Sequence, residues 1–162
     1  MTTLSSKRLS AFRKALSERI LLFDGAMGTS IQEMGLAPAA FTGERFKTHS
    51  FDLNGNNDVL SLTSEATIIS IHDSFLSAGA DIITTNTFNS NAISQADYGL
   101  ENYTRELNKA SAQLARSCVD RHPGTQWVAG SLGPTNAIAS LSPDIDHPEK
   151  RDVSFNELVE AY

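Results

Sequence analysis

The sequence of 162 residues lacks several features that would each point to a class of protein. It contains a single cysteine, Cys118, so no disulfide bond can form within the chain, and we expect a reducing compartment, the cytoplasm. No apolar run approaches the roughly 20 residues of a membrane-spanning helix. Basic residues are scattered and outnumbered by acidic ones, 13 against 19, which gives a net charge of -6. We therefore expect neither nucleic acid nor a membrane as a partner.

The N-terminal segment has a composition with two interpretations. Its first 17 residues include four basic side chains and no acidic one, as in an organellar transit peptide. The same segment places Leu9, Phe12 and Leu16 on or near one face of a helix. Because the segment is short and continues into the next element without a linker, we expect residues 1–18 to form a leading amphipathic helix.

Three apolar stretches, 20–23, 81–85 and 126–130, each end in a loop of small and polar residues. Parallel strands place such loops at one edge of a sheet, where ligands bind. We therefore predict one ligand site built from the loops that follow the three strands. Its predicted substrate-binding residues are Asp24, Gly25, Ala26, Met27, Gly28, Thr29, Asn86, Thr87, Gly133 and Pro134.

The first of these loops, 24–29 (DGAMGT), leads directly into a predicted helix. Free N–H groups in the first turn of a helix bind anions such as a carboxylate, and glycine lets the backbone approach a ligand closely. Asp24 has two interpretations: it caps the following turn, or it takes a substrate ammonium. Gly25 and Gly28 can likewise serve conformation, ligand approach or both.

The order of predicted elements indicates an α/β fold. Helices are predicted near 28–35, 65–78, 100–121 and from Ser154 onward, and they alternate with the apolar strands. Such alternation indicates a parallel sheet covered by helices, either a (β/α)8 barrel or a doubly wound sheet. A barrel needs about 250 residues, whereas this chain supplies about three strands and ends in a predicted helix. We expect the front part of a larger domain.

Several of these stretches resemble a known family. The matching residues are Asp24 to Thr29, Gly43 to Phe46, Asp52 to Leu60, Ala78 to Asn89 and Gly133 to Asn136. In order and content they resemble the N-terminal homocysteine-binding barrel of cobalamin-dependent methionine synthases, within the wider homocysteine S-methyltransferase family. The pairing of NGNND at 54–58 with TNTFN at 85–89 favours the cobalamin-dependent branch over relatives that use S-methylmethionine or betaine.

The resemblance implies an incomplete (β/α)8 TIM barrel over residues 19–162, truncated within a helix, that binds L-homocysteine. In the cobalamin-dependent methionine synthases zinc activates the homocysteine thiol, and methylcobalamin, recharged by 5-methyltetrahydrofolate, supplies the methyl group that yields methionine. The implied partners are the C-terminal half of the barrel and the folate, cobalamin and reactivation domains.

The chain departs from the family pattern at the metal site. It has no Cys-Cys pair, and the zinc cysteines of the family lie at positions beyond Tyr162. Cys118 and His122 are spaced to reach one metal, but two ligands are too few for zinc. We therefore expect no catalytic residue, no metal ligand, no bound cofactor and no catalysis in this chain alone. The alternatives are a non-catalytic homocysteine-binding or complementation module and a cobalamin-independent homocysteine methyltransferase fragment.

Overall fold

The computed structural model describes residues 3–162, so residues 1 and 2 of the predicted leading helix lie outside the described residues. Helices account for most of the regular structure. They are α1 (Thr3–Glu18), α2 (Met27–Glu33), α3 (Pro38–Thr42), α4 (Leu60–Thr63), α5 (Glu65–Ser77), α6 (Ala92–Ala96), α7 (Thr104–Arg121) and α8 (Phe155–Ala161). None of the helices within residues 3–162 has the length and hydropathy needed to cross a bilayer.

Two short parallel strands form the sheet. Strand β1 (Ile82–Thr84) pairs with β2 (Trp127–Ala129) in the register Ile82 to Trp127. Helices α6 and α7 lie between the strands in the sequence, as a parallel crossover requires. This arrangement of a small parallel sheet and covering helices is that of a partial (β/α) barrel, as predicted.

The strand predicted at 20–23 is reduced to a single parallel bridge from Phe23 to Ile82. The backbone N–H of Asp24 still donates to the Ile82 carbonyl oxygen at 2.8 Å, so the segment keeps the direction of a third strand. Its apolar side chains are largely uncovered, because Ile20 is 85% exposed and Phe23 is 60% exposed. Among the described residues this segment pairs on one side only.

The long connection at 36–63 was predicted to have little regular structure, yet it contains α3, α4 and a 3₁₀ turn at Asn57–Val59. These elements are too short to show a helical period in sequence. They are ordered by packing, because Phe41, Phe46 and Leu60 are buried in one apolar cluster with residues of α5. This packing fixes the 3₁₀ turn beside the loop that follows β1.

Helix α5 begins close to its predicted start, and no side chain caps its first turn. Ser64 is the N-cap residue, and its hydroxyl pairs with the Thr67 hydroxyl at 2.8 Å rather than with a backbone N–H. Helix α8, in contrast, begins with a capping box, in which Ser154 and Glu157 each accept a backbone N–H of the other. Gly79, at φ +102°, follows α5 in the left-handed conformation that glycine tolerates, as expected of a helix stop.

Candidate functional site

A cavity of about 390 Å³ opens where β1 ends. It lies between the start of α2, the 3₁₀ turn and the loops after the two strands, which is the edge predicted for a ligand. Its lining residues are Ala26, Met27, Gly28, Asn57, Asp58, Thr84, Thr85, Asn86, Thr87, Phe88, Asn89 and Ser131. Five of the ten predicted site residues therefore share one cavity: Ala26, Met27, Gly28, Asn86 and Thr87.

A larger groove of about 660 Å³ lies elsewhere, between α1, α7 and the sheet. Apolar side chains such as Phe12, Phe23 and Trp127 form most of its walls. A polar amino acid needs several hydrogen-bonding groups that converge on it, and the smaller cavity at the end of β1 offers them. We therefore take the smaller cavity as the candidate site.

Asp24 lies behind the cavity wall rather than in it. Its carboxylate accepts the backbone N–H of Thr84 at 2.8 Å and the Thr84 hydroxyl at 3.0 Å. The N-cap residue of α2 is Ala26, without a side-chain cap, so the capping interpretation of Asp24 was wrong. Partial burial raises the pKa of the Asp24 carboxyl, against the hydrogen bonds from Thr84, which lower it. Asp24 thus positions Thr84, which does line the cavity.

The start of α2 lies along one side of the cavity. The first N–H that bonds within the helix is that of Ser30, to the Ala26 carbonyl oxygen at 3.1 Å. The N–H groups of Met27, Gly28 and Thr29 precede it, as in any first helical turn. Thr29 itself is exposed and outside the cavity lining.

Gly25 serves packing. A Cβ at this position would lie 2.7 Å from Cε1 of Phe75, so only glycine lets the Phe75 ring of α5 pack against this turn. At Gly28 a Cβ would meet Asn57 Nδ2 at 3.6 Å, an ordinary contact, and Gly28 borders the cavity. Gly28 is therefore placed for close approach to a ligand, and a ligand role for Gly25, which lies outside the cavity lining, stays a prediction.

Asn86 forms a wall of the cavity and is itself buried. Its side-chain amide donates to the Asn57 carbonyl oxygen at 2.8 Å and to the Ser61 hydroxyl at 3.2 Å. The Ser111 hydroxyl of α7 in turn donates to the Asn86 carbonyl oxygen at 3.0 Å. The side-chain donors of Asn86 thus hold the loop after β1 against the 3₁₀ turn and α4, and its backbone carbonyl oxygen holds the loop against α7.

Thr87 closes a ring of hydrogen bonds between the loops that follow β1 and β2. Its hydroxyl donates to the Ser131 carbonyl oxygen at 2.8 Å, which can only accept. The Thr85 hydroxyl, 2.7 Å away, must then donate to Thr87, and it accepts the Ser131 N–H at 3.0 Å. The ring fixes the two loops relative to each other on one side of the cavity.

Asp58 is the carboxylate of the cavity wall, and it is not among the residues predicted from sequence. The residue is 1% exposed, and its Oδ1 accepts the Ser90 hydroxyl at 2.7 Å and the Asn89 N–H at 3.0 Å. Burial raises the pKa of its carboxyl, and the bonds from Ser90 and Asn89 oppose that rise. The sequence signal that could have found it is its place in the 54–58 stretch, which matches the family pattern.

Gly133 and Pro134 lie outside this cavity. Gly133 borders a separate cavity of about 100 Å³ behind Phe88, and its carbonyl oxygen accepts the Tyr162 hydroxyl at 2.7 Å. Pro134 is exposed. Gly133 contacts the candidate site indirectly. Its backbone packs against the carbonyl group of Phe88, and Phe88 lines the cavity.

The described residues do not fit a zinc site. No group of three or more His, Cys, Asp or Glu side chains converges anywhere in residues 3–162. Cys118 is buried beside α5, where burial raises the pKa of its thiol, and Arg121 donates to its sulfur at 3.4 Å. His122 lies 3.5 Å from Asp73.

Comparison with known proteins agrees with this architecture. The family model described as homocysteine S-methyltransferase matches residues 21–162. The oxidized form of the homocysteine methyltransferase MmuM from Escherichia coli is 28% identical, with a TM-score of 0.58 over 75% of this chain and 40% of that one. Its metallated form is 26% identical, with a TM-score of 0.55 over 78% of this chain and 41% of that one.

The chain spans about two fifths of the length of these solved structures. The match to the family model covers all three strand-end loops of the predicted site. This chain belongs to the homocysteine S-methyltransferase family.

Proposed function

We propose that this chain forms the amino-acid end of a homocysteine-binding site. The observation that carries the proposal is the cavity at the end of β1, where residues from α2, the 3₁₀ turn and two strand-end loops converge in a family named for homocysteine. Its volume, about 390 Å³, is ample for an amino acid of this size. The thiol end of the substrate would point away from these groups.

The proposed roles follow from charge. The N–H groups at the start of α2, beside Met27 and Gly28, are suited to the substrate carboxylate. The negative charge for the substrate ammonium would come from Asp24, with Thr84 between the carboxylate and the cavity in this structure. Asn86 and Thr87 would act as walls, since their own donors are engaged within the protein.

The reaction that we propose for the whole protein is methyl transfer to the homocysteine thiolate, with methylcobalamin as donor. The support for this branch is the sequence of the 54–58 and 85–89 stretches, which are also neighbours in space, since Asn86 donates to the Asn57 carbonyl oxygen. Zinc bound elsewhere in such a protein would keep the thiol deprotonated at neutral pH. This chain would contribute substrate orientation.

The alternative is a homocysteine-binding module without catalysis. It is favoured by the fact that no group of metal ligands converges among the described residues, whereas the half of the site that holds the amino acid is well formed. A methyl-transfer assay separates the two proposals when this chain is combined with its complementary barrel half. Methionine formed from homocysteine and methylcobalamin supports the enzyme, and unchanged homocysteine with intact binding supports the module.

We expect L-homocysteine to bind the chain weakly and without any need for zinc. Calorimetric titration under reducing conditions, with added zinc and with a chelator, should give the same dissociation constant, because the described residues hold no zinc site. Tight binding that appears only with zinc would contradict this expectation, since it would require a complete site.

Replacing Asp24 by alanine should abolish this binding. The substitution removes the charge proposed for the ammonium and leaves the Thr84 N–H and hydroxyl without their acceptor. The loss of charge-assisted hydrogen bonds also predicts a cost of about 2 kcal/mol in the free energy of unfolding. Asp146→Ala, in the exposed 144–150 loop, is the matched control. Unchanged affinity in Asp24→Ala would remove Asp24 from the site.

A further inference from the structure

The 3₁₀ turn and its N-cap residue Asn56 hold the loop after β1 at several points. Asn56 Nδ2 donates to Gln95 Oε1 at 2.8 Å, and Gln95 Nε2 donates to the Asn89 carbonyl oxygen at 3.1 Å. Asp58 Oδ1 accepts the N–H of the same Asn89 at 3.0 Å. Asn89 is thus held at both its N–H and its carbonyl group by residues that lie around 30 positions earlier or six positions later.

Asp58 is the one charged member of this set. Asn56, Ser90 and Gln95 are neutral, and all are at least nine-tenths buried, as is Asp58. A hydrogen bond to an ionised acceptor is about twice as strong as one between neutral groups. The geometry therefore makes Asp58 the strongest single link between the turn and residues 89–90.

The segment that Asp58 holds is itself part of the cavity wall. Phe88 and Asn89 line the cavity with Asp58, although Phe88 is 56% exposed and residues 87–91 form no helix or strand. Phe88 also separates this cavity from the smaller one beside Gly133. Without the bonds to Asp58, no regular backbone pairing would keep Phe88 and Asn89 in place.

We propose that Asp58 is a positioning residue of the homocysteine site, which sets the place of the Phe88–Asn89 wall by accepting the Asn89 N–H and the Ser90 hydroxyl. This inference rests on the proposed function, and it assigns a role to a residue that does not itself have to touch the substrate. The same role explains how the 54–58 stretch acts: it holds the 85–89 stretch in position.

The test is a titration of the chain with L-homocysteine, followed by amide NMR, for the wild type and two variants. Asp58→Asn keeps the shape of the side chain and removes its charge. Asp52→Asn is the matched control: Asp52 is exposed, lies outside the cavity and accepts a backbone N–H in the same way, from Asn54 at 2.9 Å. We expect Asp58→Asn to raise the dissociation constant about tenfold and Asp52→Asn to leave it unchanged.

Two readouts separate positioning from a general loss of stability. The Asn89 amide proton should shift upfield and exchange faster in Asp58→Asn, because it loses a charged acceptor, while amides of α7 should keep their protection. Affinity is measured well below the melting temperature of each variant, where the folded fraction is complete. A variant that is merely less stable would bind homocysteine normally under these conditions, and that result would overturn the inference.

The outcomes also separate this inference from the proposed function. If the wild type binds and Asp58→Asn binds equally well, Asp58 is not a positioning residue, and the proposed function stands. If the wild type does not bind homocysteine, the proposed function fails, and the assignment of Asp58 to that site fails with it. Weakened binding together with the Asn89 shift supports both.

Discussion

Acidification from pH 6.5 to about 4 is expected to reduce the free energy of unfolding by about 3 kcal/mol through His72 alone. His72 lies on α5, is 0% exposed, and neither of its ring nitrogens has a hydrogen-bond partner. Burial lowers its pKa from 6.5 to about 4, and the nearby Asp73 charge only partly opposes this shift. The folded protein therefore keeps His72 neutral at a pH where the unfolded chain protonates it.

The sign follows from proton counting. Between the two pKa values the unfolded state binds more protons than the folded state, so stability rises with pH and falls on acidification. The loss is complete below about pH 4, where both states are protonated. Asp24 and Asp58 act in the opposite direction, because burial raises their pKa and the folded state then takes up protons more readily as the pH falls.

The measurement is urea unfolding across this pH range for the wild type and His72→Leu. Both proteins retain Asp24 and Asp58, so the contributions of these residues cancel in the difference between the two free energies of unfolding at each pH. His72→Leu should be at least as stable as the wild type at neutral pH, since it removes two unpaired buried nitrogens. Parallel pH curves for the two proteins would show that His72 is paired or solvated in solution.

Replacing Gly133 by alanine is expected to cost about 1–3 kcal/mol of stability. The added Cβ would fall inside van der Waals distance of the Phe88 carbonyl oxygen and 2.9 Å from Phe88 Cγ. The Phe88 carbonyl oxygen is a backbone atom and cannot rotate away. The loops that follow β1 and β2 would therefore have to separate. Gly133 does not have a positive φ, and the cost is therefore one of space rather than of backbone conformation.

Gly130→Ala is the matched control, because Gly130 precedes the same loop, has no positive φ, and a Cβ there meets no atom within 4 Å. That substitution should be neutral or stabilising by about 0.5 kcal/mol, through the lower entropy of the unfolded chain. Gly133→Ala should also weaken homocysteine binding, since Phe88 lines the candidate cavity. Equal unfolding midpoints for the two variants would mean that the loops do not approach as closely as described.

The sequence by itself determined the features that depend on neighbouring residues. Apolar runs that break into small and polar loops predicted β1 and β2, and helical spacing with its stop signals predicted α5 and α7 close to their observed bounds. The 24–29 loop could be placed at the start of a helix for the same reason. The stretches that resemble the family could also be identified from sequence, because each is a run of consecutive residues.

Only the tertiary structure decided which side chains meet. The sequence singled out Asp24 as the carboxylate of the site, yet Asp58 lines the cavity while Asp24 is engaged with Thr84. It paired the 54–58 and 85–89 stretches as a signature without showing that they touch. These contacts join residues about 30 to 60 positions apart, and their geometry depends on how short, weakly periodic segments pack against α5 and α7. No local pattern carries that information, since the partners of a buried polar group are chosen by packing.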